Sequence, residues 1–356
     1  MVFIIRKIHN IKEIYMKDAG ITRYFSLALI IFILVTSFST ARAEKAVTLT
    51  YVNFFPPQSR ISLLAVEWNK ELEKRTNGRV AIKYYPGAVL VPPEATYNAV
   101  ARGSVDIGLS CFAYTPGKFP LTEVIDLPLG YKSGYVATKM INEYYKKFNP
   151  KELSEVKVLY LHAHGPGILH MRKPVDKLED LKGRTIRSTG LSSEVVSALG
   201  GIPVGMPMTE AYYALNNGLA EGIMNPMESL MEFKLGEVIS YSVEDFGAAY
   251  TTGFFVVMNK KKWGALSPDI RNIIEKMSEE WIEKQGKLWD ELDKEGRGFT
   301  LRRGNKIIQL SNEENERWAQ RVKPLLDRYV KSMRSKGLPG EDALKFCLDY
   351  LKANQK

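Results

Sequence analysis

Few side chains in this 356-residue chain have the type and spacing to do chemistry, and Arg187 stands first among them. It ends Arg184-Thr-Ile-Arg187, a short run with β-branched strand propensity that follows Leu178-Glu-Asp-Leu-Lys-Gly183, a turn of helix with a glycine stop. Ser188-Thr-Gly190 breaks the strand, and a helical pattern begins at Ser192. A planar fork of donors held on rigid backbone beside a helix N-terminus suits a buried carboxylate or phosphate. The competing reading of a single arginine is a solvated strand end.

The second group is His162, His164 and His170 in LHAHGPGILH. Histidines at i and i+2 of a strand face one side, which is half of a metal site. No nearby cysteine or suitably spaced carboxylate completes it, so ligand lining, hinge hydrogen bonding and plain packing stay open for these rings. The third group is sulfur and carboxylate. Cys111 follows an apolar strand and Cys347 lies in an amphipathic helix, with no framework that asks them to pair. Glu179-Asp180 and Glu291 with Asp293 sit on polar helix faces and read as solvation and capping. Glu228 in Asn225-Pro-Met-Glu-Ser229 has two readings, a cleft carboxylate that pairs an amino group or an exposed helix-start residue. There is no G-x-S-x-G elbow, Walker loop, H-E-x-x-H or G-x-G-x-x-G, so an enzyme is not expected; a hydrolase would have to use Cys111 with this one histidine cluster.

The elements that would position these groups follow from periodicity. Val47 to Asn53 alternates as a strand, Ser59 to Thr76 repeats apolar residues at helical spacing, and Arg79 to Tyr85 is a second strand. A Pro-started helix over Pro92 to Arg102 and a strand from Val105 to Leu109 complete a strand, helix, strand, helix, strand order, which predicts a parallel sheet covered by helices. Val156 to His162 is another strand, and Gly165-Pro-Gly167 turns the chain into a second lobe. Tyr250 to Met258, continuously apolar, returns to the first lobe. From Pro268 to about Glu295 a helical pattern runs without a proline break. Lys306 to Leu310 is a short strand, and two last helices flank Gly337-Leu-Pro-Gly340.

Composition is that of a globular protein, 45% hydrophobic and 25% charged, with no internal repeat or low-complexity tract. Phe25 to Phe38 is apolar but short of the ~20 residues of a bilayer span, and it lies between Lys17 and Arg23 on one side and Ala41-Arg-Ala43 on the other. That is a signal peptide over residues 1–43, with cleavage after Ala43 and export to the periplasm; Met16 is an alternative start. Residues 1–43 hold six Lys/Arg and two Asp/Glu, leaving 44 basic and 38 acidic residues and a net charge of +6. Lys260-Lys-Lys262 and Arg302-Arg303 lack interleaved aromatics, which argues against nucleic acid, while a positive field favours an anionic ligand.

Six blocks in order, TNGRVAIKYYPGAVL, ATYNAVARGSVDIGLS, YTPGKFPLTEVIDLPLG, MRKPVDKLEDLKGRTIR, GGIPVGMPMTEAYYALNNG and EGIMNPMES, resemble the substrate-binding proteins of tripartite ATP-independent periplasmic (TRAP) transporters, the DctP-like family. The resemblance implies a two-lobe α/β periplasmic binding protein fold, type II-like, with crossing strands and a long helix spanning both lobes. Lobe I would take residues 44–168 with 250–289 returning, and lobe II residues 169–249 with the C-terminal helices of 290–356.

The family's principal carboxylate-binding arginine falls on Arg187, a second arginine on Arg172, a cleft amide on Asn225 and a ligand-packing side chain on Met208. Lobe I would add Asn53 and Phe54 after the first strand and Cys111 to Tyr114 after the third, with His164 at the crossing. Members that bind sialic acid carry a glutamate and an arginine where Cys111 and Tyr114 stand here, which points away from sugar acids. Phe54, Phe112, Tyr114, Met208 and Tyr250 suggest a ligand with an apolar or aromatic body. The implied function is capture of a small organic anion in an interlobe cleft and delivery to a small and a large membrane subunit, by a monomer without cofactor or metal. An extracytoplasmic sensing subunit of the same fold is the alternative.

Overall fold

The computed structural model describes residues 46–355; the expected signal peptide and its cleavage site lie outside them. Among the described residues no helix is long and apolar enough to cross a membrane.

The chain begins β1 (Val47–Asn53), α1 (Arg60–Arg75), β2 (Val80–Tyr85), α2 (Thr96–Arg102), β3 (Ile107–Cys111), α3 (Gly134–Phe148) and β4 (Val156–Ala163). Ser59 caps α1 by accepting the Ser62 N–H, and left-handed Asn77 and Gly78 turn the chain into β2. It then builds β5 (Ile168–Met171), β6 (Thr185–Ser188), α4 (Leu191–Leu199), β7 (Ile202–Gly205), α5 (Met208–Asn216), β8 (Gly222–Asn225), α6 (Ser229–Glu232) and β9 (Tyr241–Glu244). The last stretch is β10 (Gly253–Asn259), α7 (Lys260–Ala265), α8 (Pro268–Arg302), β11 (Lys306–Gln309), α9 (Asn312–Val322), α10 (Pro324–Ser335) and α11 (Gly340–Asn354).

The strands form two sheets, ordered β2-β1-β3-β10-β4 and β11-β9-β5-β8-β6-β7. β1 is parallel to β2 and β3, while β10 is antiparallel to both β3 and β4. β10 is buried along its whole length, as its unbroken apolar run requires of a strand covered on both faces. Each sheet is the heart of one lobe. The chain passes between them at Gly165–Gly167 and returns at Tyr250–Thr252, and these two segments pair through Gly167 N–H to Tyr250 O (2.7 Å) and Tyr250 N–H to Gly167 O (3.3 Å). Gly167 is required there, because a Cβ would lie 2.2 Å from the Tyr250 ring.

α8 spans both lobes. It starts on Pro268 after the Ser267 cap and packs Trp281, Leu288 and Trp289 against α1, α3 and β4, then reaches α6 and β11. At ~1.5 Å per residue its 35 residues are about 50 Å long, enough to clamp two lobes. One core is shared between the lobes and joins Leu49, Trp68 and Leu109 to Met227, Leu230 and Trp289.

The C-terminal helices divide differently from the expected assignment of 290–356 to lobe II. Trp318 of α9 fills the lobe II core and α10 bridges, but α11 packs on α3, with Cys347 in the lobe I core beside Met140 and Tyr144. The apolar stripe of α11 told that it had to be covered and not by which lobe. The periodicity leaves α3 unmarked, and it lies under α11.

Candidate functional site

A narrow cavity of about 30 Å³ lies between the lobes at the carboxyl ends of β1, β3, β6 and β8. That is the crevice where open α/β sheets bind ligands. Phe54 and Phe55 reach it directly after β1, Cys111 at the end of β3 and Tyr114 from the turn behind; lobe II gives Arg187, Thr189, Met208, Asn225, Pro226, Glu228 and Phe233; the crossings and the strand residues beside them give His164, Thr252 and Phe254.

Arg187 is 2% exposed. Its Nε and Nη2 both donate to Met206 O, at 3.1 and 2.8 Å, and Nη1 donates to Asn225 Oδ1 at 3.3 Å. Three of the five guanidinium N–H groups are thereby fixed, which leaves one on each terminal nitrogen. No carboxylate lies within ion-pair distance among the described residues. A buried cation held by neutral oxygens is a strong positive potential in a low dielectric, complementary to an anion.

Tyr114 joins the lobes: its hydroxyl accepts the Met208 N–H at the start of α5, at 3.0 Å. Burial raises its pKa far above the ordinary phenol value, so the O–H stays available as a donor next to Arg187. Gly190, at φ +52°, comes so close to Ala113 that a Cβ would lie 3.0 Å from the alanine methyl. Aromatic rings make the body of the cavity. Phe54 stacks on Phe55 at 4.4 Å, Phe254 stacks on Trp289 at 5.6 Å, and Phe55 meets Phe233 of the other lobe at 5.7 Å.

The histidines divide into three roles. His170 Nε2 donates to Asn225 O (3.0 Å), so its Nδ1 accepts from the Ser242 hydroxyl (2.8 Å) and the ring supports the strand end that carries Asn225. His162 Nδ1 accepts from the Trp289 indole at 3.2 Å and its ring stacks on Phe254 at 4.8 Å. Only His164 lines the cavity. Burial pushes all three pKa values down, to about 3 for His162 and about 4 for His164 and His170. Glu228 is 3% exposed; its backbone N–H donates to Asp293 Oδ1 at 3.1 Å, and its Oε2 has no partner. Burial, then the neighbouring Asp293, pushes the Glu228 carboxyl well above the carboxylate range. The Cys111 thiol is also pushed up, first by burial and then by Asp126, which keeps it protonated and unlike a nucleophile. Cys111 and Cys347 are both free and buried.

Four expected residues fall elsewhere. Arg172 is exposed and donates to Leu215 O at 3.1 Å. The reason is strand direction: β5 runs antiparallel to β8, so the residue after its C-terminus bonds Glu221 O, at the end of the sheet opposite Asn225. Asn53 is buried in scaffold, giving its amide to Ser62 Oγ and Tyr84 OH and accepting the Phe55 N–H, which aims Phe54 and Phe55. Tyr250 stands behind the cavity with its hydroxyl on Met224 O, and Phe112 points through the sheet into the lobe I core. Sequence reasoning missed Phe55, Phe233, Phe254, Thr189, Pro226 and Thr252. The Phe254-Phe255 pair carried a signal, since one member of a strand pair must face each side, but the face is unreadable without the sheet; Phe54 and Phe55 lie just beyond β1 and both reach the cavity.

Two lobes joined by paired crossing strands, with a narrow cavity at the crossing and a buried arginine in it, define a two-lobe solute-binding protein. The family model for bacterial extracellular solute-binding proteins, family 7 (DctP), matches residues 51–332, and this chain belongs to that family, the solute-binding proteins of TRAP transporters.

Among solved structures it is similar to a TRAP solute-binding protein from Desulfovibrio salexigens, an open complex with the C-terminus of a symmetry mate in its ligand site. That protein is 31% identical, with TM-score 0.77, over 88% of this chain and 98% of that one. It is also similar to one from Rhodoferax ferrireducens in complex with copurified benzoate, at 29% identity and TM-score 0.82, over 86% and 98% of the two chains. A third is a marine metagenome protein specific for aromatic acid ligands, in complex with metahydroxyphenylacetate, at 29% identity and TM-score 0.83, over 87% and 100%.

Proposed function

We propose that the cavity captures the carboxylate of a small organic acid with an apolar or aromatic body, and that the protein, exported to the periplasm after cleavage behind Ala43, hands it as a monomer to a small and a large membrane subunit. The observation that carries this reading is Arg187, buried without an acidic partner among the described residues, with two N–H groups left to meet a carboxylate beside the rings of Phe54, Phe55, Phe233 and Phe254. Asn225 sets the fork, Tyr114 adds a hydroxyl donor, and Met208 and the rings exclude water. The complexes of similar proteins with benzoate and metahydroxyphenylacetate support an aryl acid. Closure is a hinge motion about the Gly167–Tyr250 pairing, and the bond from Met208 to Tyr114 is made only when the lobes meet.

A thermal-shift panel tests it, because a ligand that binds only the folded state raises stability by mass action. Benzoate, phenylacetate and branched-chain acids should stabilise the protein more than glucuronate or sialate. Strong stabilisation by a sugar acid with none by the hydrophobic acids would overturn the reading.

A further inference from the structure

Two further polar groups line the cavity, and their chemistry is opposite to that of Arg187. His164 Nδ1 lies 2.6 Å from Gly165 O. A carbonyl oxygen only accepts, so Nδ1 carries the proton, and with the buried ring neutral Nε2 is a bare lone pair. Nε2 bonds no protein group among the described residues, although the ring lines the cavity and is 4% exposed. A lone pair repels a carboxylate and requires a donor. Glu228 lines the same cavity with Oε2 unpartnered, and a carboxyl held in its neutral form offers one O–H and one C=O. Acceptor and donor are what a single hydroxyl group satisfies, since it gives one hydrogen bond and takes others.

Resting on the carboxylate reading above, we propose that His164 Nε2 and the Glu228 carboxyl form a hydroxyl-recognition subsite, so that the ligand is a hydroxylated aryl carboxylate whose hydroxyl donates to Nε2 and accepts from Glu228. An ammonium group fits less well. It would require the buried Glu228 ionised beside Asp293, whereas a hydroxyl does not.

Calorimetric titration of wild type, His164→Phe, Glu228→Gln and Glu228→Met tests the subsite with matched acids: benzoate against 3- and 4-hydroxybenzoate, 3-aminomethylbenzoate, and phenylacetate against mandelate. At least one hydroxylated acid should bind wild type roughly tenfold or more tighter than its parent, because a site built for a hydroxyl leaves polar groups unpaired with the analogue that lacks it. His164→Phe and Glu228→Met should each erase most of that gain, read within each variant as the ratio of the hydroxylated acid's affinity to its parent's. Glu228→Gln, which retains a donor and an acceptor, should preserve it. The subsite is overturned if no hydroxylated acid exceeds its parent, if the gain survives both apolar variants, or if the aminomethyl acid is preferred. Those outcomes leave the carboxylate reading standing when the parents still bind; failure of every aryl acid overturns both.

Discussion

Replacing Arg187 by alanine removes the one charge around which the cavity is arranged. Of its five N–H groups three are tied to Met206 O and Asn225 Oδ1, and the remaining two are those a carboxylate would meet. With the side chain 2% exposed, a bound carboxylate in the variant is a desolvated anion without its partner, a loss of roughly 3–5 kcal/mol. At about 1.4 kcal/mol per power of ten, affinity should fall between about a hundredfold and a few thousandfold. Arg187→Lys keeps a charge and loses the fork, so it should recover only part of this. The assay is calorimetric titration with the tightest aryl acid, run beside thermal unfolding of each variant, since the truncation also strips donors from Met206 and Asn225. A folded Arg187→Ala protein with near-wild-type affinity would refute the argument that a buried, unpaired guanidinium is the anion anchor.

Tyr114→Phe removes the acceptor of the Met208 N–H across the cleft and should weaken binding by about 1–2 kcal/mol, mostly as faster release in stopped-flow dissociation; an unchanged release rate would contradict its latch role. Arg172→Ala should change affinity by less than about 0.5 kcal/mol, because the side chain is exposed and lies at the far end of the sheet; a hundredfold loss in the same titration would put Arg172 back in the site. Asp245 is buried, accepts the Leu169 N–H and has its Oδ2 unpartnered; burial raises its pKa to about 7. The folded state thus holds this proton where the unfolded chain has lost it, so its contribution to stability falls as pH rises from about 4 to about 7 and is level above that. The three depressed histidines titrate in the opposite sense, so the test is a difference: Asp245→Asn should raise the melting temperature relative to wild type more at pH 8 than at pH 4, and equal shifts at both would refute it.

Much of the scaffold is written in local pattern. The β-branched run before Arg187, the Ser59 cap, the apolar run of β10 and the proline-started α8 follow from propensity and periodicity, and those features set where Arg187 stands. Strand direction is not local. Arg172 and Arg187 each end a strand, yet β5 is antiparallel to β8 and β6 is parallel to it, which sends the two guanidinium groups to opposite ends of one sheet. Side-chain facing is also set by partners: Phe54 and Phe254 turn to the cavity, while Phe112 and Phe255 turn to the lobe I core. Asn53 ends β1 and is expected at the cleft, but Tyr84 on the neighbouring strand and Ser62 on α1 claim its amide first. The division of labour among the histidines depends on Trp289, Ser242 and Gly165, contacts that no spacing rule supplies except the last.

The ligand that the protein selects for itself tests the central claim most directly. Protein purified from its native periplasm or from rich medium is denatured, and the released small molecules are identified by mass spectrometry against a buffer control. A monocarboxylic acid with an aryl or apolar body, stoichiometric with wild type and missing from Arg187→Ala, is the predicted result. A stoichiometric sugar acid, or an uncharged or cationic solute retained by both proteins, would contradict the account.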